Sequence, residues 1–385
     1  MHAPAVRGGG ISGFRSVLCR PKAVALAGLL AMVLAGCKTS GTVDTVQTGT
    51  AGTPTQAAPA SNIIGTGPVA IAIFTDSMGA PKLAMDHRDG AALAVNQLAK
   101  DQITLTVYDA GPNGADIGAD VQAAMAAGAK LLIGPPSLVT SPIWAKADPA
   151  KRPPAILLAT APAKPAANSF WIVSSETDSA AEIAAYAVSA GKKQVLIAAP
   201  APLLPPEIAQ VKAAVEAPGG TFLGVVTLPS PAIKPDLIDR ADAVVLYGPT
   251  PETVLAPLRQ AGIRTDAWVL GTSEWTSSAY VDGAYFASID QSGFRHISGG
   301  FKTAYGRGLS SDAAYAFDAI AVAAGIIRAK GVGSMSAAEL KSATGFSGAS
   351  GLFRFKPDGR VERRFAVYKV TGKTAAVHDP APGGF

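Results

Sequence analysis

From Pro68 onward, short apolar runs alternate with stretches whose apolar residues recur at helical spacing. Val69–Phe74 is the first run, after which Ala84, Ala91, Val95 and Leu98 fall on one helix face. Ile103–Tyr108 predicts a second strand, and Ile117, Val121, Ala124 and Met125 a second helix face. Leu131–Ile133, Ala155–Leu158 and Phe170–Val173 continue the series. Short apolar runs separated by helical stretches predict βαβ units and a parallel sheet.

A second series begins at Ser179-Ala180-Ala181-Glu182, which has the spacing of a capping box. It predicts strands at Val195–Ala199, Phe222–Thr227, Ala243–Tyr247 and Trp268–Leu270, with a helix carrying Ile208, Val211 and Val215. Between the last two strands Pro257 removes a backbone donor, which counts against an unbroken helix there. A long helix then carries Ala316, Ile320, Ala323, Ala324 and Ile327, and a second capping box, Ser336-Ala337-Ala338-Glu339, opens a short one. The tail changes character: Gly351–Phe355, a turn at Lys356-Pro357-Asp358-Gly359 and Val361–Val370 predict one β-hairpin. Two α/β series, a return pair of helices and a closing hairpin describe a chain that crosses between two lobes more than once.

The N-terminal part carries a different signal. Arg7, Arg15, Arg20 and Lys22 precede the apolar run Ala23–Leu34, which is shorter than the ~20 residues a bilayer span needs and fits a cleaved signal peptide. Leu34-Ala35-Gly36-Cys37 resembles the lipobox of bacterial lipoproteins. That resemblance makes 1–36 the signal peptide and Cys37 the lipidated first residue of the mature chain. Segment 37–66 is rich in Thr, Gly, Ala, Pro and Ser and reads as a flexible linker, spanning ~30 Å as a coil.

Composition then narrows the functional classes. The formal charge of +5 includes four of the 33 basic residues within 1–36, leaving 29 against 28 acids. No Lys/Arg cluster points to nucleic acid. The only other cysteine, Cys19, lies in the signal segment, so no disulfide framework is expected. His87, His296 and His378 stand isolated, outside any metal-ligand spacing, and are expected to be surface or structural residues. There is no G-x-S-x-G elbow and no phosphate-binding G-x-x-x-x-G-K-[ST] loop. Gly65-Thr66-Gly67-Pro68-Val69-Ala70 fits G-x-G-x-x-A, but it precedes a strand instead of following one. No cofactor, no metal and no enzymatic activity is implied.

The order of these pieces resembles the leucine/isoleucine/valine-binding protein family, over roughly 67–385. The residues that carry it are Val69–Ile73, Tyr108-Asp109, Gly134-Pro135, Ala159-Thr160-Ala161-Pro162, Leu246-Tyr247-Gly248, Leu258–Gly262 and Leu270–Glu274. The closing strings Gly345–Gly348, Gly351–Phe355 and Pro357-Asp358-Gly359, with Asp379–Pro382, are closer to a lipoprotein branch called penicillin-binding protein activators. The resemblance implies a two-lobe type I periplasmic-binding-protein fold, α/β, each lobe a parallel sheet flanked by helices. Lobe 1 would be 67–173 plus 291–345, and lobe 2 would be 174–290 plus 346–385.

By the same resemblance, Ser137 and Thr160 match positions that hold an amino-acid carboxylate and ammonium, and Glu274 matches the acid that pairs with the ammonium. A zwitterion needs donors at one end and an anion at the other. As plain residues, Ser137 and Thr160 also fit helix caps or turns, and Glu274 a solvated loop acid. The family's aromatic contact after strand 1 is missing from Thr75–Ala80, and Pro249-Thr250 stand where a tyrosine is expected. Two functions follow. The first is a non-catalytic envelope lipoprotein that binds a protein partner such as a peptidoglycan synthase. The alternative is a substrate-binding protein handing an amino-acid-like solute to an ABC importer permease. Lys38 stands where an Asp would resemble an inner-membrane retention signal, which implies an outer-membrane anchor facing the periplasm. This, the long tether and the missing aromatic contacts favour the first function.

Overall fold

The computed structural model describes residues 62–385, except 112–113, 230–232 and 276. The signal segment, Cys37 and all but the end of the linker lie outside the described residues. That end is ordered: Ile63–Ile64 form β1, an edge strand antiparallel to β3 (Ile103–Asp109). Ile64 packs on the first core, so the linker stops short of residue 66. Gly67 passes so close to Gln102 that a Cβ would sit 1.9 Å from its carbonyl carbon. The two-glycine string therefore serves strand docking.

The first sheet has the order β1-β3-β2-β4-β5-β6. Its members β2 (Val69–Thr75), β4 (Leu131–Gly134), β5 (Ala155–Thr160) and β6 (Ser169–Val173) run parallel to β3. Side chains alternate across a strand. Ile71 and Ile73 enter the core shared with α1 (Pro81–Ala94), while Ala72 and Phe74 enter the core under α2 (Ile117–Ala126). Two short helices, α3 (Ser137–Thr140) and α4 (Pro142–Lys146), follow β4.

The second lobe opens with α5 (Glu176–Ser189) and β7 (Gln194–Ala199). Then come α6 (Pro205–Glu216), β8 (Thr221–Thr227), α7 (Pro235–Arg240) and β9 (Ala243–Leu246). It continues through α8 (Pro251–Gln260), β10 (Trp268–Gly271) and β11 (Tyr285–Ile289). Pro257 lies inside α8, which runs past it, because a proline forfeits one bond and the buried Val254, Leu255 and Leu258 hold the helix down.

The chain returns through α9 (Gln291–Tyr305) and α10 (Ser311–Lys330), which lies on α1 of the first lobe. A Cβ on Gly90 would come within 2.0 Å of the Ala313 carbonyl, so the glycine permits this close approach. Arg307, in the turn between α9 and α10, donates to the buried Asp86 and, at 2.8 Å, to Asp89, pinning the return to α1. After α11 (Ala337–Leu340), a small antiparallel sheet forms from β12 (Phe346–Gly348), β13 (Gly351–Phe355) and β14 (Val361–Arg363). Finally β15 (Phe365–Thr371) and β16 (Thr374–Asp379) join the second sheet, whose order is β16-β15-β11-β10-β9-β7-β8.

Three local expectations change. The helix of the second lobe starts a turn before Ser179, with the capping box formed by Ser175 and Asp178. Ser179 instead donates to the Glu176 carbonyl and accepts from the Ser273 amide at 2.9 Å. The tail forms two hairpins, because β14 ends at Arg363 and β15 pairs with β11 and β16. Phe353, Phe355 and Val361 belong to the first lobe's core, whereas Phe365 and Val367 belong to the second. The third crossing therefore falls at 363–365, not at 345–346, because alternation along β13 and β14 buries those aromatic and β-branched faces on the first lobe.

Candidate functional site

In the first sheet β2 is flanked by β3 on one side and β4 on the other, so the chain changes direction across it. Crevices at the carboxyl ends of parallel strands form at such points. A pocket of about 320 Å³ occurs there, within the range of small-ligand sites. Phe74 and Thr75 supply one wall from the end of β2, Ala110 follows β3, and Pro135 and Ser137 follow β4. Leu83, Ala84 and His87 of α1 complete it.

The loop after β2 is held by its own polar groups. Ser77 donates its amide to Asp109 at 3.1 Å and its hydroxyl to the other carboxylate oxygen. The Ser77 hydroxyl bond, first among several, keeps the Asp109 carboxyl below its ordinary range. Asp76 accepts from the Gly79 amide at 2.5 Å, and a Cβ on Gly79 would come within 2.2 Å of that carboxylate. No aromatic ring stands in this loop, as its sequence indicated.

Ser137 begins α3, half-buried, and its hydroxyl has no hydrogen-bond partner among the described residues. It therefore has both a donor and two lone pairs open to the pocket. Thr160 ends β5 and is exposed, just past a register shift between Leu157 and Thr160. Such a bulge re-aims the strand end. The residues that follow it, Ala161 to Ala163, line a groove of about 420 Å³ between the lobes. Ser175, Thr177 and Glu207 form that groove's other side, with Lys356 above. Arg360 fixes one edge by donating to the carbonyls of Pro162 and Ala163 at 3.1 and 2.6 Å.

Glu274 follows β10 on the second lobe and is exposed. Its charge contributes to the upward pKa shifts of Glu176 on its own lobe and of Tyr315 of α10 on the first, behind burial in both cases. No hydrogen bond or ion pair joins Ser137, Thr160 and Glu274 to one another; the three are distributed over two lobes.

Glu176, which the sequence reading passed over, organises the second lobe's face. Its Oε1 accepts from the Gly248 amide at 2.6 Å and from Thr272 Oγ1 at 2.7 Å, tying the loops after β9 and β10 to the first turn of α5. Burial raises its pKa, with the charges of Glu274 and Glu207 adding to the effect against these two bonds. An acid directly after a Ser N-cap, in the first turn of a helix, is a sequence signal that could have flagged it, since α5 was placed one turn late. Tyr247 and Trp275 lie in the two cores of the second sheet, so neither provides a ring to the interlobe face. Burial, ahead of the neighbouring carboxylates, keeps the Tyr247 phenol protonated. Among the described residues, no group of three or more His, Cys, Asp or Glu side chains is placed to hold a metal ion. Nor is any helix long and apolar enough to cross a membrane.

No protein-family model and no curated protein sequence matches the chain. Solved structures do. A Rhodospirillum rubrum protein assigned to branched-chain amino acid ABC transport superposes with a TM-score of 0.67 at 15% identity, over 80% of this chain and 99% of that one. A Desulfitobacterium hafniense ABC-transporter substrate-binding protein, solved with leucine, gives 0.55 at 17% identity, over 80% and 99%. A solute-binding protein of an ABC transporter from Rhodopseudomonas palustris, solved with 3,4-dihydroxybenzoic acid, gives 0.53 at 13%, over 82% and 97%. The chain thus has the type I periplasmic-binding-protein fold: parallel sheets flanked by helices. Its neighbours within that fold are substrate-binding proteins of ABC transporters.

Proposed function

We propose that this chain is a solute-binding protein that takes a small amphipathic acid between its lobes and hands it to an ABC importer permease. The observation that carries this reading is the pocket at the mouths of β2, β3 and β4, with the Ser137 hydroxyl on its wall and unpartnered among the described residues. In this reading Ser137 and Thr160 donate to the ligand carboxylate, and Glu274 balances an ammonium from the opposite lobe. Closure around the ligand excludes water and strengthens each of these contacts. The solved neighbours, one with leucine and one with a hydroxylated benzoic acid, support a ligand of that size and polarity.

The same proposal includes an envelope address. Cys37 is the lipidation site, and the tether after it lets the folded body stand off an outer membrane while facing the periplasm. Metabolic labelling with a fatty-acid probe tests this, since Cys37→Ala should lose all label; equal label on both proteins would refute it.

One observation favours the second reading, a partner-binding module of the penicillin-binding protein activator type. Tyr247 and Trp275 are both turned into the second lobe's cores, which leaves that lobe without an aromatic wall for a ligand. A thermal-shift screen of the purified chain against amino acids and aromatic acids separates the two. A ligand at 100 times its dissociation constant adds about 2.7 kcal/mol, which reads as several degrees. No stabilisation by any member of the panel would reject solute binding in favour of the partner reading.

A further inference from the structure

We propose that His87 is a ligand-contacting residue at the back of the first-lobe pocket, and that the molecule it meets carries an uncharged hydroxyl or amide on an apolar body. This deepens the solute-binding reading and rests on it, by naming what enters that pocket.

His87 is only 5% exposed, and the surface it keeps faces the pocket it lines. Its imidazole makes no hydrogen bond to any described residue. The contrast with its neighbour is direct: Asp86, also buried, receives Lys82 at 2.7 Å and Arg307. The His87 ring nitrogens are not among the side-chain atoms that are both buried and unpartnered, so the little surface the residue keeps includes a polar ring atom. Because His87 lines the pocket, a molecule entering there can meet that atom with a hydrogen bond in place of water.

The chemistry of that partner follows from the walls. Phe74, Ala80, Leu83, Ala84 and Pro135 suit a hydrocarbon or aromatic body. Among the described residues no cationic side chain lines the pocket, and the one charged wall residue is Asp76. A carboxylate driven to the back would lose its hydration without gaining a counter-charge. Burial also holds the imidazole neutral, with a pKa near 4 that Asp86 only partly offsets. A neutral imidazole offers one donor and one acceptor, which a hydroxyl or an amide can match at both atoms. The ligand's charged ends then lie toward Ser137 and the second lobe.

The test uses the purified full-length chain and two matched pairs in calorimetric titration: phenylalanine with tyrosine, and benzoate with 4-hydroxybenzoate, plus leucine as control. In at least one pair the hydroxylated member should bind at least about tenfold more tightly, because a site built for a hydroxyl discriminates against its absence. His87→Leu should erase that preference while keeping the unsubstituted member within about threefold, and His87→Gln should restore part of it. A melting temperature for His87→Leu at or above wild type shows that the variant is folded. A folded His87→Leu that keeps the preference overturns the inference and leaves solute binding standing. So does indifference to the hydroxyl in both pairs, or binding of leucine with none of the four. Binding of none of the five overturns both readings.

Discussion

Arg363 Nη1 donates to the hydroxyl of Ser350 at 2.7 Å, with both residues buried where the chain makes its third crossing between lobes. The same guanidinium donates through Nη2 to the Ile172 carbonyl at 2.8 Å and through Nε to Ser174 at 3.0 Å, at the end of β6. One side chain therefore joins the first crossing to the third. Asp318 of α10 receives the Ser350 amide at 2.9 Å and the Ala349 amide at 2.5 Å. Burial lowers the pKa of the Arg363 guanidinium and raises that of the Asp318 carboxyl. Arg363 also stacks over Phe353, with its Cζ 4.9 Å from the ring centre.

Removing one member of such a buried set leaves the others desolvated and unpaired, which costs about 3–5 kcal/mol. Arg363→Ala should therefore lower the unfolding free energy of the chain by that amount, read as a lower urea midpoint at unchanged slope. Arg363→Lys should recover little, because an ammonium cannot make the fork of bonds to two crossings. An unfolding midpoint for Arg363→Ala equal to wild type would show that the crossings are held by packing alone.

Glu176 makes a prediction with a sign that depends on pH. Its folded pKa lies above the ordinary carboxylate value because of burial. The folded state therefore holds its proton to higher pH than the unfolded chain does. The stability this contributes is present at acid pH and is lost as pH rises through the folded pKa. Glu176→Gln keeps an acceptor for Gly248 and Thr272 without the half-buried charge. It should be more stable than wild type at pH 8 and no more stable at pH 4. Destabilisation at pH 8 would mean that the two bonds need the carboxylate charge.

How far the sequence could reach is clear from particular elements. The apolar runs at Val69–Phe74 and Leu131–Ile133 predict buried parallel strands because a strand covered on both faces has no polar positions to spare. The capping box was misplaced because Ser179-x-x-Glu182 and Ser175-x-x-Asp178 carry the same local signal. Only the bond between Ser179 and Ser273, residues far apart in the chain, decides between them. The single hairpin drawn over 351–370 failed for a related reason. Continuous alternation does not reveal that Phe353 and Phe365 enter different cores. Ser137 was legible at a strand mouth, but His87 was not. Its role depends on α1 and the ends of β2 and β4 meeting, and a lone histidine carries no spacing.

His87 predicts an acid-side loss of stability. Burial lowers its folded pKa to about 4, against 6.5 for an unperturbed histidine. Between these values the unfolded chain binds a proton that the folded chain does not, so stability falls as pH drops through that window. The full difference is worth about 3 kcal/mol. Wild type should lose melting temperature steadily from pH 6.5 to 4.5, and His87→Leu should lose less over the same interval. Parallel curves for the two proteins would place the acid sensitivity elsewhere.

Ser137 and Glu274 lie on opposite lobes, and their proposed roles separate by ligand charge. Ser137→Ala removes a donor to a carboxylate, a charge-assisted bond worth about 1.5–3 kcal/mol, or roughly a 10- to 100-fold loss in affinity. That loss should be common to every carboxylate ligand that binds. Glu274→Gln should act only where an ammonium is present, weakening phenylalanine while sparing 3-phenylpropanoate, which has the same ring and carboxylate without the amine. The difference matters because Glu274 is exposed in this arrangement and gains its effect only as the lobes exclude water around it. Titration of both ligands into wild type and both variants reads the two ends of the molecule independently. An equal loss on the two ligands from Glu274→Gln would mean that this acid supports the loop after β10 and meets no ammonium.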